Sequence, residues 1–271
     1  MTVTERTVCG PEWASETSMT TDLSPMVLGV DFDGTLSPVA PHPRDAHLDP
    51  AAAHELRRIA EAGATVGVVT GRSVESLLDV AGAELSAIPN LVIEGMYGAE
   101  RWSHGVLDTL PTPEFMPTLR REVPVAVSGT TTDPGVWIED KRLSLVVHTR
   151  MAGDPEAVQA SLAGPLADVA LTHGVELHHG KEVLELRLRG IDKGTALRRL
   201  MGKRCRAIVY AGDDVGDVPA FHLVRRWRDR TGLPGLTIGV VPDASSPIAG
   251  AADCEVRDTA GLTSVLRILG P

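Results

Sequence analysis

Asp31 and Asp33 stand two residues apart in the run Asp31-Phe32-Asp33-Gly34-Thr35, directly behind the apolar stretch Val27 to Val30. In an extended chain, residues i and i+2 point to the same side, so both carboxylates can face one ligand. Two adjacent carboxylates repel each other unless a cation lies between them or one holds a proton. Mg2+ suits such a pair, being a hard cation that takes oxygen ligands and meets substrate phosphate. A carboxylate is also a competent nucleophile toward phosphorus. Gly34 lets the backbone turn away from the pair.

A second group is Thr70-Gly71-Arg72. A hydroxyl, a guanidinium and the N–H groups of a glycine turn can hold phosphate oxygens. Taken alone, the same residues read better as an ordinary helix cap. A third group is Gly212-Asp213-Asp214-Val215-Gly216-Asp217, with three carboxylates within five residues. That spacing serves a metal ion or an acidic surface turn. Lys193, in Gly190-Ile191-Asp192-Lys193-Gly194-Thr195, reads by itself as a solvated lysine near a helix start.

These groups need elements to hold them. Val27 to Asp31, Thr65 to Val69 and Leu91 to Glu94 read as strands. Between the first two lies a helix that starts at Asp49-Pro50, repeats Leu56, Ile59 and Ala60 at helical spacing, and stops at Gly63. An Asp cap followed by Pro, with Gly at the end, marks both helix boundaries. From Lys193 the rhythm returns, with a helix over Thr195 to Met201 and strands over Ala207 to Ala211 and Leu236 to Val241. A closing helix covers Leu262 to Leu269. Strands alternating with helices imply a parallel sheet, and all three acidic or hydroxyl groups then fall at carboxyl ends of strands, where such sheets bind ligands.

The middle of the chain differs. Leu110 to Pro117 reads as a linker. Val123 to Val127, Trp137 to Glu139 and Leu143 to His148 follow as closely spaced strands, then a helix over Pro155 to His173 and a strand over Val183 to Leu188. This is α+β composition. The expected architecture is α/β. A Rossmann-like parallel-sheet core over 26–110 and 189–271 is interrupted by an inserted α+β cap over 111–188, and residues 1–25 form an acidic, Ser/Thr-rich tail.

Composition narrows the partners. The 271 residues carry 26 basic and 36 acidic side chains, a net charge of −10, which disfavours nucleic acid and anionic membranes. No apolar run approaches the ~20 residues of a membrane span, and the first 25 residues lack a signal-peptide core, so a cytoplasmic protein is expected. Cys9, Cys205 and Cys254 are odd in number and widely spaced. That argues against a disulfide framework or zinc site and makes Cys205 and Cys254 small buried hydrophobes. Arg225-Arg226-Trp227-Arg228, followed by Asp229, reads as a solvated helix face with one buried Trp.

Taken in chain order, Asp-x-Asp-Gly-Thr, then Thr70, then Lys193, then Gly-Asp-Asp-x-x-Asp resembles the haloacid dehalogenase superfamily of phosphotransferases. The central region carries a narrower resemblance. Trp137-Ile138-Glu139-Asp140-Lys141-Arg142-Leu143-Ser144-Leu145, with His148 and Arg150, is similar to the Glu-x-Lys-x-x-Ser-Leu pattern of trehalose-6-phosphate phosphatases. Gly180-Lys181-Glu182-Val183-Leu184-Glu185-Leu186-Arg187 resembles that family's second cap signature.

The resemblance implies a core of haloacid dehalogenase type, Mg2+ as cofactor and an aspartyl-phosphate intermediate on Asp31. Asp33 would be the acid and base. Thr70 and Lys193 would hold the transferring phosphoryl group. Asp31, Asp33, Asp213, Asp214 and Asp217 would form the metal site. Gly34, Thr35, Gly71, Arg72, Tyr97, Glu139, Lys141 and Glu185 would contact substrate, the last three through sugar hydroxyls. The implied partner is a small-molecule sugar phosphate, with no nucleic acid and no membrane; a trehalose-phosphate synthase is a candidate protein partner, and the chain is expected to be a monomer. Two positions depart from the family: Gly216 where Thr is usual, and Tyr97 where a polar residue is common. Two alternatives stand beside trehalose 6-phosphate hydrolysis. One is a phosphatase of another disaccharide or pseudo-disaccharide phosphate; the other is a non-catalytic phosphosugar-binding regulator.

Overall fold

The computed structural model describes residues 26–180 and 182–269. The expected tail over 1–25 and Lys181 of the second cap signature lie outside the described residues. The chain divides into two compact units, one made of residues up to Thr109 and from Asp192 onward, the other of Leu110–Ile191.

The first unit is built on an eight-stranded sheet. Its strands are β1 (Met26–Val30), β2 (Thr65–Val69), β3 (Val92–Gly95), β4 (Glu100–Ser103), β5 (Val106–Thr109), β10 (Ala207–Gly212), β11 (Gly235–Val240) and β12 (Cys254–Val256), in the order β12-β11-β10-β1-β2-β3-β4-β5. All pairings from β12 through β3 are parallel, and β4 and β5 add an antiparallel hairpin at one edge. The chain winds outward from β1 through β2 to β3, and from β10 through β11 to β12. The winding therefore reverses between β1 and β10, the point where open α/β sheets place ligands beyond the strands' carboxyl ends.

Alternation along the strands divides the core. Leu28 and Val30 of β1 pack with α1 (Pro50–Glu61), α2 (Val74–Ser86) and α7 (Thr259–Ile268), through Leu56, Ile59, Leu77, Leu85, Leu262 and Leu266. Val27 and β10's Ile208 and Tyr210 face the other way. They pack on α5 (Lys193–Leu200) and α6 (Val218–Thr231), through Leu197, Leu200, Phe221, Val224 and Trp227. The buried Trp227 agrees with the reading of that helix as a one-faced surface element, and Arg225 and Arg228 on it pair with Asp253.

The second unit is a four-stranded antiparallel sheet with two helices on one face. The strands β6 (Trp137–Asp140), β7 (Ser144–His148), β8 (Glu176–Gly180) and β9 (Val183–Arg187) lie in the order β6-β7-β9-β8. Leu145, Val147, Leu184 and Leu186 pack against α3 (Met116–Thr130) and α4 (Pro155–His173).

Two local expectations are corrected. Val123 to Val127 is not a strand; it lies within α3. Its β-branched run favours strand locally, but Met116, Leu119, Val123 and Val127 form a buried stripe at helical spacing, and packing overrides propensity. The linker read over Leu110 to Pro117 ends sooner, because Met116 and Pro117 already open that helix. Cys254 is buried, as read from sequence, and Cys205 is a half-buried free thiol.

Candidate active site

Asp31 follows the last residue of β1, its amide bonded to the Ala211 carbonyl of β10 at 2.9 Å. By the alternation of β1 its side chain falls on the α5 side of the sheet. That helix opens with Lys193, behind the N-cap Asp192, whose carboxylate accepts from the Thr195 amide at 2.6 Å. Lys193 is not a solvated residue: its side chain is 3% exposed, and its Nζ lies 2.9 Å from Asp31 Oδ1 and 2.9 Å from Asp217 Oδ1.

Two glycines let the helix come this close. Gly29 of β1 and Gly67 of β2 are register partners beneath α5. A Cβ on Gly29 would lie 2.7 Å from Leu197 Cδ1 and 2.9 Å from Tyr210 Cδ2; one on Gly67 would lie 2.3 Å from Leu200 Cδ1. Gly29→Ala is therefore expected to overpack this layer, costing ~1–3 kcal/mol, and to lower turnover by displacing Lys193. Thermal melts and phosphate release check both effects.

Asp217, fully buried, organises the acidic loop. Its Oδ1 accepts from the Tyr210 hydroxyl at 2.6 Å and from Lys193, and its Oδ2 accepts from the amides of Asp213 and Asp214 at 3.0 and 3.1 Å. Asp214 and Asp217 together form a capping box over the turn Val215–Asp217, so the loop is capped without the hydroxyl missing at Gly216. Sequence reasoning does not single out Tyr210. The available signal was a tyrosine inside an apolar strand, whose buried hydroxyl must find a partner.

Asp31, Asp213 and Asp217 offer carboxylate oxygens within 4.8 Å of one another. Asp217 has spent both of its oxygens on hydrogen bonds, and Asp213 Oδ1 accepts from the Thr35 hydroxyl at 2.8 Å. Asp31 Oδ2 and Asp213 Oδ2 remain unspent among the described residues. Burial, reinforced by the neighbouring Asp217 and Asp214 charges, pushes Asp213 up to about 7. Burial likewise raises Asp31 and Asp217 well above the usual carboxylate range, with Lys193 pulling both back. Burial opposes the Lys193 charge too, but Asp217, Asp31 and Asp214 outweigh it and hold the ammonium well above its ordinary range. Three acidic side chains thus share one ammonium with Asp213 beside them, a donor set that suits a hard divalent cation. Gly34 is required here twice over: its φ is +80°, and a Cβ would fall 2.1 Å from Asp213 Oδ2.

Asp33 does not join the three-carboxylate cluster. Its carboxylate, 46% exposed, is gripped in two places by Arg72, Nε to Oδ2 and Nη2 to Oδ1, both at 2.6 Å. Arg72 is itself seated over the Phe32 ring, 5.6 Å from its centroid. Thr70 is buried at the end of β2. Its Oγ1 accepts from the Arg72 amide at 3.1 Å, while the cap of α2 is Ser73. Tyr97 sits on a single helical turn after β3 with φ 58° and ψ 26°; its amide bonds to the Thr70 carbonyl, and a Cβ on Gly71 would lie 2.7 Å from its hydroxyl. The first unit therefore gathers Asp31, Thr35, Lys193, Asp213, Asp214 and Asp217 at one end of β1 and β10, with Asp33, Thr70, Gly71, Arg72 and Tyr97 around the adjoining ends of β2 and β3.

In the second unit, Glu139, Val146 and Glu185 occupy one register row across β6, β7 and β9. Cross-strand partners share a face, and this is the face opposite the α3 and α4 packing. Glu139 Oε2 meets His148 Nε2 at 3.0 Å and Lys141 Nζ at 3.9 Å. The His148 bond, aided by the Lys141 charge, holds Glu139 below the usual carboxylate range against burial. Glu185 is buried, and its Oε1 accepts from the Ser144 hydroxyl at 2.7 Å. Glu139 and Glu185 thus share this face of the sheet, each carboxylate pinned by a neighbour, and Lys141 follows the end of β6.

Comparison with known proteins gives the family. The trehalose-phosphatase family model matches residues 29–252. A probable trehalose-phosphate phosphatase of Sinorhizobium fredii is 30% identical over 265 residues, covering 93% of this chain and 91% of the relative. The solved structure of a trehalose-6-phosphate phosphatase related protein superposes with TM-score 0.66 at 25% identity, over 90% of this chain and 96% of that one. A haloacid dehalogenase-like hydrolase from Bacteroides thetaiotaomicron shares the fold, with TM-score 0.64 at 17% identity over 89% and 98% of the two chains. On the extent of the family match and the near-complete coverage by its relatives, the chain belongs to the trehalose-phosphatase family, on a haloacid dehalogenase-type α/β fold.

Proposed function

We propose that this protein is a Mg2+-dependent phosphatase that converts trehalose 6-phosphate to trehalose and phosphate. The observation that carries the chemistry is the buried Lys193 ammonium 2.9 Å from Asp31, beside an Asp213 carboxylate with an oxygen to spare. Asp31 attacks phosphorus and forms an aspartyl phosphate as the bond to the sugar oxygen breaks. Asp33 gives that oxygen its proton, then takes one from the water that hydrolyses the intermediate and regenerates Asp31. Arg72, which grips both Asp33 oxygens at 2.6 Å, holds that carboxylate in place and must release one of them for these proton transfers. Lys193 and the Thr70 hydroxyl hold the phosphoryl oxygens, with Gly34, Thr35 and Gly71 shaping the turns around them. Phosphoryl transfer asks mainly for positioning and charge neutralisation, which a single buried ammonium begins.

Asp31, Asp213 and the Asp33 carbonyl would hold Mg2+, with Asp214 assisting and Asp217 fixing the loop. When bound, the ion neutralises charge on the phosphoryl group and its attacking oxygen. Chelation by EDTA is expected to abolish phosphate release, and added Mg2+ to restore it. Activity that survives exhaustive chelation would contradict the metal assignment.

Glu139, Lys141 and Glu185 take the sugar hydroxyls, and Tyr97 contributes to leaving-group preference. Glu139→Ala should lower kcat/KM for trehalose 6-phosphate by ~10–100-fold, the value of a hydrogen bond to a charged group. Turnover of p-nitrophenyl phosphate, which has no sugar, should stay near normal. Equal losses on both substrates would assign Glu139 to the fold instead. No helix among the described residues is long and apolar enough to cross a membrane. We read the protein as a cytoplasmic monomer acting on a small-molecule sugar phosphate, with a trehalose-phosphate synthase as its candidate protein partner.

A further inference from the structure

The sheet of the second unit has one face committed to its core and one that is not. Leu145, Val147, Leu184 and Leu186 are buried against α3 and α4. The next register row on the opposite face after Glu139–Val146–Glu185 pairs Trp137 with His148, and His148 with Val183. Trp137 takes no part in the core and is 47% exposed. Even so its ring lies parallel to that of His148, with centroids 3.7 Å apart and 3° between planes. His148 then reaches along the strand direction, its Nε2 3.0 Å from Glu139 Oε2.

A singly exposed apolar ring is ordinary on a protein surface; what calls for a purpose here is its parallel stacking on His148. The geometry supplies one. A histidine has freedom about two side-chain torsions, and a flat aromatic plate against one face removes much of it. The restrained ring then holds one oxygen of Glu139. Glu139 Oε1 is left for an incoming hydroxyl, as Ser144 leaves Glu185 Oε2 on the far side of Val146. A carboxylate pinned at one oxygen meets its ligand without first losing side-chain freedom, which lowers the entropic cost of binding.

We infer that Trp137 and His148 form a stacked positioning pair that presets Glu139 and thereby sets the affinity for the sugar part of the substrate. His148 acts through Glu139, and Trp137 acts through His148. This inference rests on the reading of Glu139 as a sugar-contacting residue.

The test compares His148→Ala, His148→Gln, Trp137→Ala, Trp137→Phe and Glu139→Ala with the unaltered protein. Kinetics are measured on trehalose 6-phosphate and p-nitrophenyl phosphate, alongside thermal melts. His148→Ala and Trp137→Ala are expected to raise KM for trehalose 6-phosphate by ~10-fold, with kcat little changed and p-nitrophenyl phosphate kinetics unaffected. His148→Gln, which keeps a donor near the Nε2 position, and Trp137→Phe, which keeps a flat ring, should recover most of that loss. Normal KM values in both alanine variants, while Glu139→Ala fails selectively on the sugar substrate, would overturn the positioning pair and leave the sugar reading intact. Parallel losses on both substrates with a lowered melting temperature would overturn it too, by assigning the pair to stability. If Glu139→Ala itself shows no selective loss, the sugar reading fails first, and the pair's proposed purpose fails with it.

Discussion

Asp31→Asn should reduce phosphate release by at least ~10³-fold while leaving the protein folded and at least as stable as the parent. The loss follows from the role: an amide cannot attack phosphorus, and removing a nucleophile that works as part of a unit costs orders of magnitude. The stability prediction follows from charge. Asp31 lies within 4.8 Å of the carboxylates of Asp213 and Asp217, and burial already drives it well above its usual range. Replacing it with an isosteric neutral group relieves repulsion in that cluster, and Lys193 keeps Asp217 at 2.9 Å and Asp214 at 3.5 Å. Phosphate-release assays and a thermal melt on the same preparation check both halves. Retained turnover would exclude a covalent intermediate on Asp31.

Lys193→Met should be equally inactive but, unlike Asp31→Asn, markedly destabilised. Lys193 is the ammonium that Asp31, Asp214 and Asp217 share. Removing it strands at least two buried carboxylates, and breaking a buried ion pair from one side typically costs ~3–5 kcal/mol. Methionine fills similar volume, so the effect is electrostatic and not a cavity. Added Mg2+ should restore part of the lost melting temperature by supplying positive charge to the same carboxylates, but not the turnover. A Lys193→Met protein as stable as the parent in the absence of divalent ions would show that these carboxylates are protonated in the resting chain.

The chemistry was legible largely because its carriers sit in short runs. Asp31 and Asp33 declare themselves by spacing, and the Asp213–Asp217 loop by density of charge behind an apolar strand. What spacing could not show is how the members divide. Asp33 turns to Arg72, 39 residues away in the chain, while Asp217 spends all its hydrogen-bonding capacity inside the protein. Both outcomes depend on partners brought together by the β1–β10 and β1–β2 pairings. Lys193 is the clearest case. Its local sequence describes an exposed lysine at a helix start, and only the close seating of α5 over Gly29 and Gly67 buries it against Asp31.

The same division runs through the fold. Strands β1, β2, β10 and β11 and helix α4 were readable because apolar runs were bounded by Gly, Pro and Asp signals. Helix α3 was misread because Val123-Pro124-Val125-Ala126-Val127 favours strand locally, and its helical stripe becomes decisive only once it packs on Leu145 and Leu186. The β4–β5 hairpin went unrecognised for a different reason. Its second strand is exposed throughout, so it carries no alternation between a buried and a solvated face.

The central claim is that this site releases phosphate from trehalose 6-phosphate, and the direct test is Mg2+-dependent phosphate release on that substrate beside glucose 6-phosphate, sucrose 6-phosphate and p-nitrophenyl phosphate. The account predicts that kcat/KM for trehalose 6-phosphate exceeds each of the others by at least ~10-fold, in keeping with the carboxylates set aside for its hydroxyls. Equal or faster turnover of another sugar phosphate would contradict the substrate assignment while sparing the aspartate chemistry. No phosphate release from any of the four, by folded protein supplied with Mg2+, would contradict the account as a whole.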